Sequence, residues 1–217
     1  KAAGEAGVAP SREQLAAAEA KVGMASVVFD PESRQVRFLK PGVEMDLGGI
    51  SKGYIIDRVV ALLQAAGVSR GLVNIGGDLR VFGGTGEHPF SVGVQHPLRR
   101  GELAGVVRVE EGAVATSGDY EQFVVIDGKH YSHIVDPRRG TPVAWSPSVT
   151  VLAADAMTAD WLATGISVLG AGQAATVAAR QPGAECLVIH RSGAGTFEAV
   201  CSAGMVPLLH LEEDAGV

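Results

Sequence analysis

The sequence predicts an α+β fold of mixed, largely antiparallel sheets carrying a few packed helices. Three observations support this. Short apolar runs separated by turn residues outnumber strand–helix–strand units. Few stretches repeat at helical spacing. The 217 residues, 47% of them hydrophobic, suffice for a single globular domain over 1–217 with a substantial core.

In chain order, Ser11 with Gln14 forms a capping-box pattern that opens a short helix through Val22. ASVVFD and QVRFLK, separated by PESR, read as a hairpin. KPGVEMD reads as a strand end closed by Asp46, and a glycine-rich turn follows. From Gly53 the apolar residues Ile55, Ile56, Val59, Val60, Leu62 and Leu63 recur at helical period, and Gly67 fits the stop. GLVNI, LRVFG, FSVGVQ, LAGVVRVE and GAVATSG read as successive strands. In EQFVVIDGKHYSHIV, Asp127-Gly128 is the strongest hairpin-turn signal in the chain. SPSVTVLAAD is another strand, 157–169 a helix ending at Gly170, and 173–180 a shorter helix stopping before Pro182. AECLVIH and TFEAV are the last strands, and the polar end HLEEDAGV is expected to fray.

A net charge of −6 with no basic stripe argues against a nucleic-acid partner. No apolar run reaches membrane-spanning length. The start at Lys1, with no signal peptide, reads as a processed or trimmed product. Cys186 and Cys201 lack metal-ligand spacing. They flank the turn-like RSGAG, so a hairpin there would bring them near each other, as two buried thiols or as a disulfide.

Four constellations could carry chemistry. DLGGISKGYIID, residues 46–57, is a glycine turn feeding a helix start, where amides and the helix dipole favour an anion. It reads equally as a tight strand-to-helix turn. Lys52 could reach a phosphate, or simply be solvated. NIGGD places Gly76-Gly77 and Asp78 after an apolar strand, which suits a bulge or the close approach of a ligand. ATSGDY contains Ser117 and Gly118, and SHIVDPRRGTPV contains His133, Val135 and Asp136. His133 could accept a hydroxyl proton. Asp136 could orient it, sit near a metal, or cap its own turn. In TADWLATG, Asp160 and Thr164 are four apart on one helix face, a hard-oxygen pair that suits Mg2+. The ordinary alternative is a Thr bonded back to its own helix beside an exposed Asp.

Taken in this order, DLGGISKGYIID, NIGGD, ATSGDY, SHIVDPRRGTPV and TADWLATGISVLG resemble the ApbE family of FAD:protein FMN transferases, from about Val22 to Val217. The resemblance implies an enzyme that takes FAD as substrate with Mg2+. Such an enzyme transfers the FMN phosphoryl to a threonine of a flavin-carrying redox subunit and releases AMP. It also implies an exported protein, with a lipid anchor outside this chain. Residue by residue, it implies Asp46 as an FAD contact, Gly49 lending a carbonyl to Mg2+, and Asp160 and Thr164 as its side-chain ligands. His133 becomes the base. Val135 and the Gly76-Gly77 turn line the FAD site, and Lys52, Asp78, Ser117, Gly118 and Asp136 are further contacts.

Two departures from the family pattern stand out. Ala163 occupies a position where some members carry another acidic residue. The family's N-terminal segment, which contributes to the flavin-ring pocket, has no counterpart before Lys1. The same residues would also serve a Mg2+-dependent FAD pyrophosphatase, or a non-catalytic FAD-binding protein.

Overall fold

The computed structural model describes residues 7–97, 99, 101–118, 123–143, 148–192 and 196–211. They form two compact units. The smaller comprises Lys1–Asp46 with Phe123–Ala144, and the larger comprises Leu47–Gln122 with Trp145–Val217. Asp119 and Tyr120 of ATSGDY, residues 121–122, residues 146–147 at the head of SPSVTVLAAD, residues 193–195 of RSGAG, and residues 212–217 lie outside the described residues.

The smaller unit begins with α1 (Arg12–Glu19). Its capping box is formed: Gln14 N–H donates to Ser11 Oγ at 3.2 Å, and Ser11 N–H donates back to Gln14 Oε1 at 2.8 Å. The helix ends at Glu19, short of Val22. Strands β1 (Val27–Asp30) and β2 (Gln35–Phe38) form the expected hairpin, with Asp30 accepting from Glu32 N–H and Ser33 N–H to close the turn. Residues 43–47 form no strand, so the run before Asp46 is irregular backbone rather than a strand end. Pro41 and Gly42 precede it, and Gly42 sits at φ 73°. Strands β8 (Phe123–Ile126) and β9 (Lys129–Ser132) meet at Asp127 and Gly128, both at positive φ (50° and 71°), as a two-residue hairpin loop demands. Short β10 (Val135–Asp136) and β11 (Thr141–Pro142) pair across the Asp136 turn.

The larger unit has three layers. Strands β3 (Gly71–Ile75), β4 (Asp78–Phe82), β7 (Gly112–Gly118), β12 (Ser148–Ala153), β13 (Glu185–Arg191) and β14 (Phe197–Cys201) form one sheet in the order β14-β13-β12-β7-β4-β3. Strands β5 (Phe90–Gln95), β6 (Leu103–Val109) and β15 (Leu209–Leu211) form a second, ordered β15-β6-β5. Every described strand pair is antiparallel. Side chains alternate across the first sheet, so its two faces build two cores. Ala113, Ala115, Val149, Val151 and Val188 pack with α2 (Ser51–Ala65), α3 (Ala156–Leu169) and α4 (Ala174–Ala178). Leu79, Val81, Val114, Leu187 and Ile189 pack against the second sheet. Leu162 and Ile166 of α3 are fully buried, and each contributes roughly 1.5–3 kcal/mol by leaving water.

Both long helices end where the sequence indicates. Gly67 follows α2 at φ 88°, and Gly170 follows α3 at φ 99°. Asp155 caps α3, accepting from Thr158 N–H at 2.8 Å. The predicted 173–180 helix is a shorter α4 preceded by a 3-10 turn. Of the stretch expected to fray, only its first two residues are described, and these are ordered. His210 and Leu211 belong to β15, which pairs with β6, because backbone pairing to an existing strand outweighs polar composition. The two cysteines are both free thiols. β13 and β14 do form a hairpin, but Cys201 stands opposite Leu187. Cys186 is therefore on the other face of the sheet, and the period-2 alternation keeps the thiols apart.

Candidate functional site

The site in the larger unit grows from the crossing of α2 and α3. Leu47 carbonyl accepts from Ile50 N–H at 3.0 Å and Ser51 N–H at 2.9 Å, turning the chain into α2. Its N-cap residue, Ile50, offers no side-chain cap. Asp160, one turn into α3, supplies a carboxylate instead: Gly53 N–H donates to its Oδ2 at 3.1 Å. A helix N-terminus favours this charge. Gly53 is required by packing, since a Cβ there would lie 2.2 Å from Ala156 O. Its lack of a side chain therefore brings the two helices together, rather than admitting a ligand.

Asp160 is 3% exposed. Burial pushes its carboxyl above the usual carboxylate range; the Gly53 amide pulls it back, Asp78 raises it and Lys52 lowers it. Lys52 Nζ lies 2.7 Å from Asp78 Oδ2. That ion pair lacks hydrogen-bond geometry, so Oδ2 of the 2%-exposed Asp78 has no directed donor among the described residues. Asp78 Oδ1 accepts from Thr116 N–H at a long 3.4 Å. Lys52 is thus a paired cation.

Thr164 lies a further turn along α3. Its hydroxyl is 3.3 Å from Ser117 Oγ on β7. A Cβ on Gly49 would sit 3.2 Å from Thr164 Oγ1, so the glycine turn presses on that hydroxyl. The alternative of an exposed Asp beside a self-bonded Thr does not hold, because both side chains turn inward. Asp160, Thr164, Ser117 and Gly49 together make an all-oxygen donor set, which suits a hard cation. Among the described residues no three His, Cys, Asp or Glu side chains cluster as metal ligands. Ala163 is fully buried in the helix-facing core.

Gly76 and Gly77 join β3 to β4 as a two-residue hairpin loop at φ 60° and 94°, not as a bulge. The paired positive φ values are those of a type I′ turn. Asn74 Oδ1 accepts from Gly77 N–H at 3.1 Å and steadies it. The turn borders both faces of the sheet. A Cβ on Gly76 would lie 3.9 Å from Lys52 Cδ. On the other side a cavity of about 260 Å3 opens, lined in part by Asn74, Gly77, Ser91, Gln95 and Thr116. Gly118 is buried at the end of β7, opposite Ser148.

The remaining predicted residues belong to the smaller unit. Asp46 is exposed. His133 is exposed between β9 and β10, and Val135 is 50% exposed on β10. Asp136 is 6% exposed, and both its oxygens are held by Arg138: Nε donates to Oδ1 at 2.9 Å and an Nη to Oδ2 at 2.8 Å. Arg138 holds the Asp136 carboxyl down to about 2. Arg138 N–H donates to Asp136 Oδ1 at 2.9 Å, so Asp136 does cap its own turn, and Gly140 N–H closes it on Asp136 O at 2.9 Å.

Sequence reasoning passed over Asp57 and Arg80. Arg80 Nη1 donates to Asp57 Oδ1 at 2.6 Å, and Asp57 also accepts from two amides of α3. The one local hint was the spacing of Asp57 four residues after Gly53, which puts both on one helix face.

Comparison with known proteins gives the family. The ApbE family matches residues 1–188. An Escherichia coli FAD:protein FMN transferase is 36% identical over 177 residues, covering 79% of this chain and 50% of its own length. A Haemophilus influenzae FAD:protein FMN transferase is 36% identical over 186 residues, covering 83% and 54%. The chain thus spans about half the length of the curated relatives it matches. Among solved structures, the ApbE protein of Thermotoga maritima superposes with a TM-score of 0.81 at 37% identity, covering 92% of this chain and 64% of that one. The flavin transferase ApbE of Vibrio cholerae superposes at 0.76 and 33%, covering 93% and 63%.

Proposed function

The chain belongs to the ApbE family, and on that premise we propose that it is a Mg2+-dependent FAD:protein FMN transferase, residues 1–217 serving as one flavin transferase domain. The observation that carries this reading is an oxygen cluster around the buried Asp160 carboxylate, its other members being half-buried. Asp160, Thr164, Ser117 and the Gly49 turn stand together, with Lys52 and Asp78 beside the Gly76-Gly77 loop. A desolvated carboxylate with few donors is a site that a cation stabilises. The donor set fits Mg2+, which binds through one or two carboxylates and leaves room for water and phosphate. Asp160, Thr164 and the Gly49 carbonyl would hold the ion, which supplies charge neutralisation at the pyrophosphate of FAD.

The chain's own residues do the rest. Lys52, partnered by Asp78, presents a positive charge beside the glycine loop, where phosphate oxygens would lie. Gly76 and Gly77 keep that approach free of side chains. Asp46, Gly118, Val135 and Asp136 complete the FAD contacts that the family resemblance implies. His133 takes the proton from the acceptor threonine hydroxyl. The threonine oxygen forms a bond to the FMN-side phosphorus as the bond to AMP breaks, and AMP leaves with the electron pair. A positioned base of this kind contributes roughly 10²–10⁴ in rate. The acceptor is a flavin-carrying redox subunit, and the resemblance supports an exported location with a lipid anchor outside this chain.

The test is intact mass of an acceptor peptide incubated with the chain, FAD and Mg2+, with AMP followed in the same tube. An FMN-sized mass gain that EDTA abolishes supports the transferase. AMP without that gain moves the assignment to an FAD pyrophosphatase. Saturable FAD binding with neither product moves it to a binding protein.

A further inference from the structure

We propose that Asp57 is a positioning residue for the cation site, holding α3 in the register that presents Asp160 and Thr164. The inference rests on the metal reading given above. Its geometry is independent of that reading.

Asp57 lies on α2, four residues after Gly53. Ala156 N–H donates to its Oδ1 at 2.9 Å, Met157 N–H to its Oδ2 at 2.9 Å, and Arg80 Nη1 to Oδ1 at 2.6 Å. Ala156 and Met157 are the first residues of α3. Gly53 N–H donates in the opposite sense to Asp160, four residues beyond Ala156. Each helix therefore caps the N-terminus of the other with a carboxylate. The two rungs stand one helical turn apart on both helices, and the helices run antiparallel across them. Arg80 ties the Asp57 rung to β4, two residues from Asp78, and Lys52 ties the start of α2 to Asp78. The Asp57 rung thus determines where Asp160 falls along α2.

Asp57 is not needed for α3 to exist. Asp155 already caps α3 locally through Thr158 N–H at 2.8 Å. Losing the Asp57 rung shifts a formed helix rather than melting it. Asp155 and Asp57 consequently separate two roles: Asp155 makes the helix, and Asp57 places it. Removal of an outer partner that orients a metal ligand typically weakens metal binding about 10–100-fold.

The experiment measures Mn2+ binding, as a Mg2+ substitute, by the loss of the free-ion EPR signal with FAD present and acceptor absent. Thermal unfolding is recorded in parallel. Asp57→Asn keeps the shape of the side chain but removes one acceptor oxygen and the charge facing Arg80; Asp57→Ala removes the rung. Both are expected to weaken Mn2+ binding by about tenfold or more. Asp155→Ala is expected to lower the unfolding temperature and leave Mn2+ affinity within about twofold, because the rungs remain. Asp160→Ala is expected to abolish binding. If the Asp57 variants bind like the parent, or if Asp155→Ala weakens binding as much as they do, the positioning role is refuted and Asp57 is a stability residue. If the parent binds no Mn2+, or Asp160→Ala binds normally, the metal reading itself has failed. Asp57→Asn, close to isosteric, decides the matter should Asp57→Ala not fold.

Discussion

One methyl group at Gly53 tests the helix crossing on which the site depends. In Gly53→Ala the new Cβ would meet Ala156 O at 2.2 Å, Ala156 C at 2.5 Å and Met157 Cα at 2.6 Å. These are backbone atoms, so no side chain can rotate away. Relief requires the helices to part by about 1 Å, since carbon contacts are comfortable near 3.5 Å. Three terms set the outcome. Alanine gains about 1 kcal/mol of helix propensity over glycine. Overpacking a well-filled contact costs about 1–3 kcal/mol. Parting the helices also breaks the Gly53 amide bond to the Asp160 carboxylate, a charged hydrogen bond of about 1.5–3 kcal/mol. The net destabilisation is about 2–5 kcal/mol, or a fall of about 5–15 °C in Tm for a chain of this size. Gly165→Ala is the internal control. It lies in the same pair of helices, but nothing stands within 4 Å of its added Cβ. That variant is expected to hold or raise Tm, by up to about 1 kcal/mol of stability. Circular dichroism melts of both variants suffice. A Gly53→Ala protein as stable as Gly165→Ala would refute the argument that close backbone approach dictates glycine here.

Other outcomes follow from single side chains. Asp160→Asn removes a desolvated charge while keeping an acceptor for Gly53 N–H. The folded-state carboxyl is raised, so its ionisation opposes folding as pH climbs through its titration. Asn is therefore expected to stabilise the metal-free protein near neutrality and to abolish any rise in Tm on adding Mg2+; an unchanged response to Mg2+ would remove Asp160 from the metal site. Asp136 has the opposite sign. Its folded-state carboxyl is held down to about 2 by Arg138, so its contribution is present above the ordinary value of 3.8 and lost as pH falls through about 2. Arg138→Ala should move that acid loss to higher pH, read from denaturation midpoints between those values. His133→Ala should abolish FMN transfer in the mass assay and leave FAD binding intact; surviving transfer would assign the base elsewhere.

The amino-acid order alone is enough for most of the elements and for the family. Turn chemistry is local, so Asp127-Gly128, Gly67, Gly170 and the Ser11–Gln14 box can be read directly, and each ends or starts an element as expected. Helical spacing alone puts Asp160 and Thr164 on one face. What that face meets is set by the packing of distant segments. Gly53 reads in sequence as the start of a helix after a glycine turn, yet it exists to admit Ala156 O, a neighbour more than a hundred residues away. Asp57 draws no separate reading from the sequence, yet it accepts amides of α3, and no spacing rule links positions so far apart. Cys186 and Cys201 are near in the hairpin, and only the strand register shows that they occupy opposite faces. Period and turn chemistry are short-range properties that a chain carries with it. Register, helix crossing and charge pairing arise only when distant segments are packed, and those are the features that build this site.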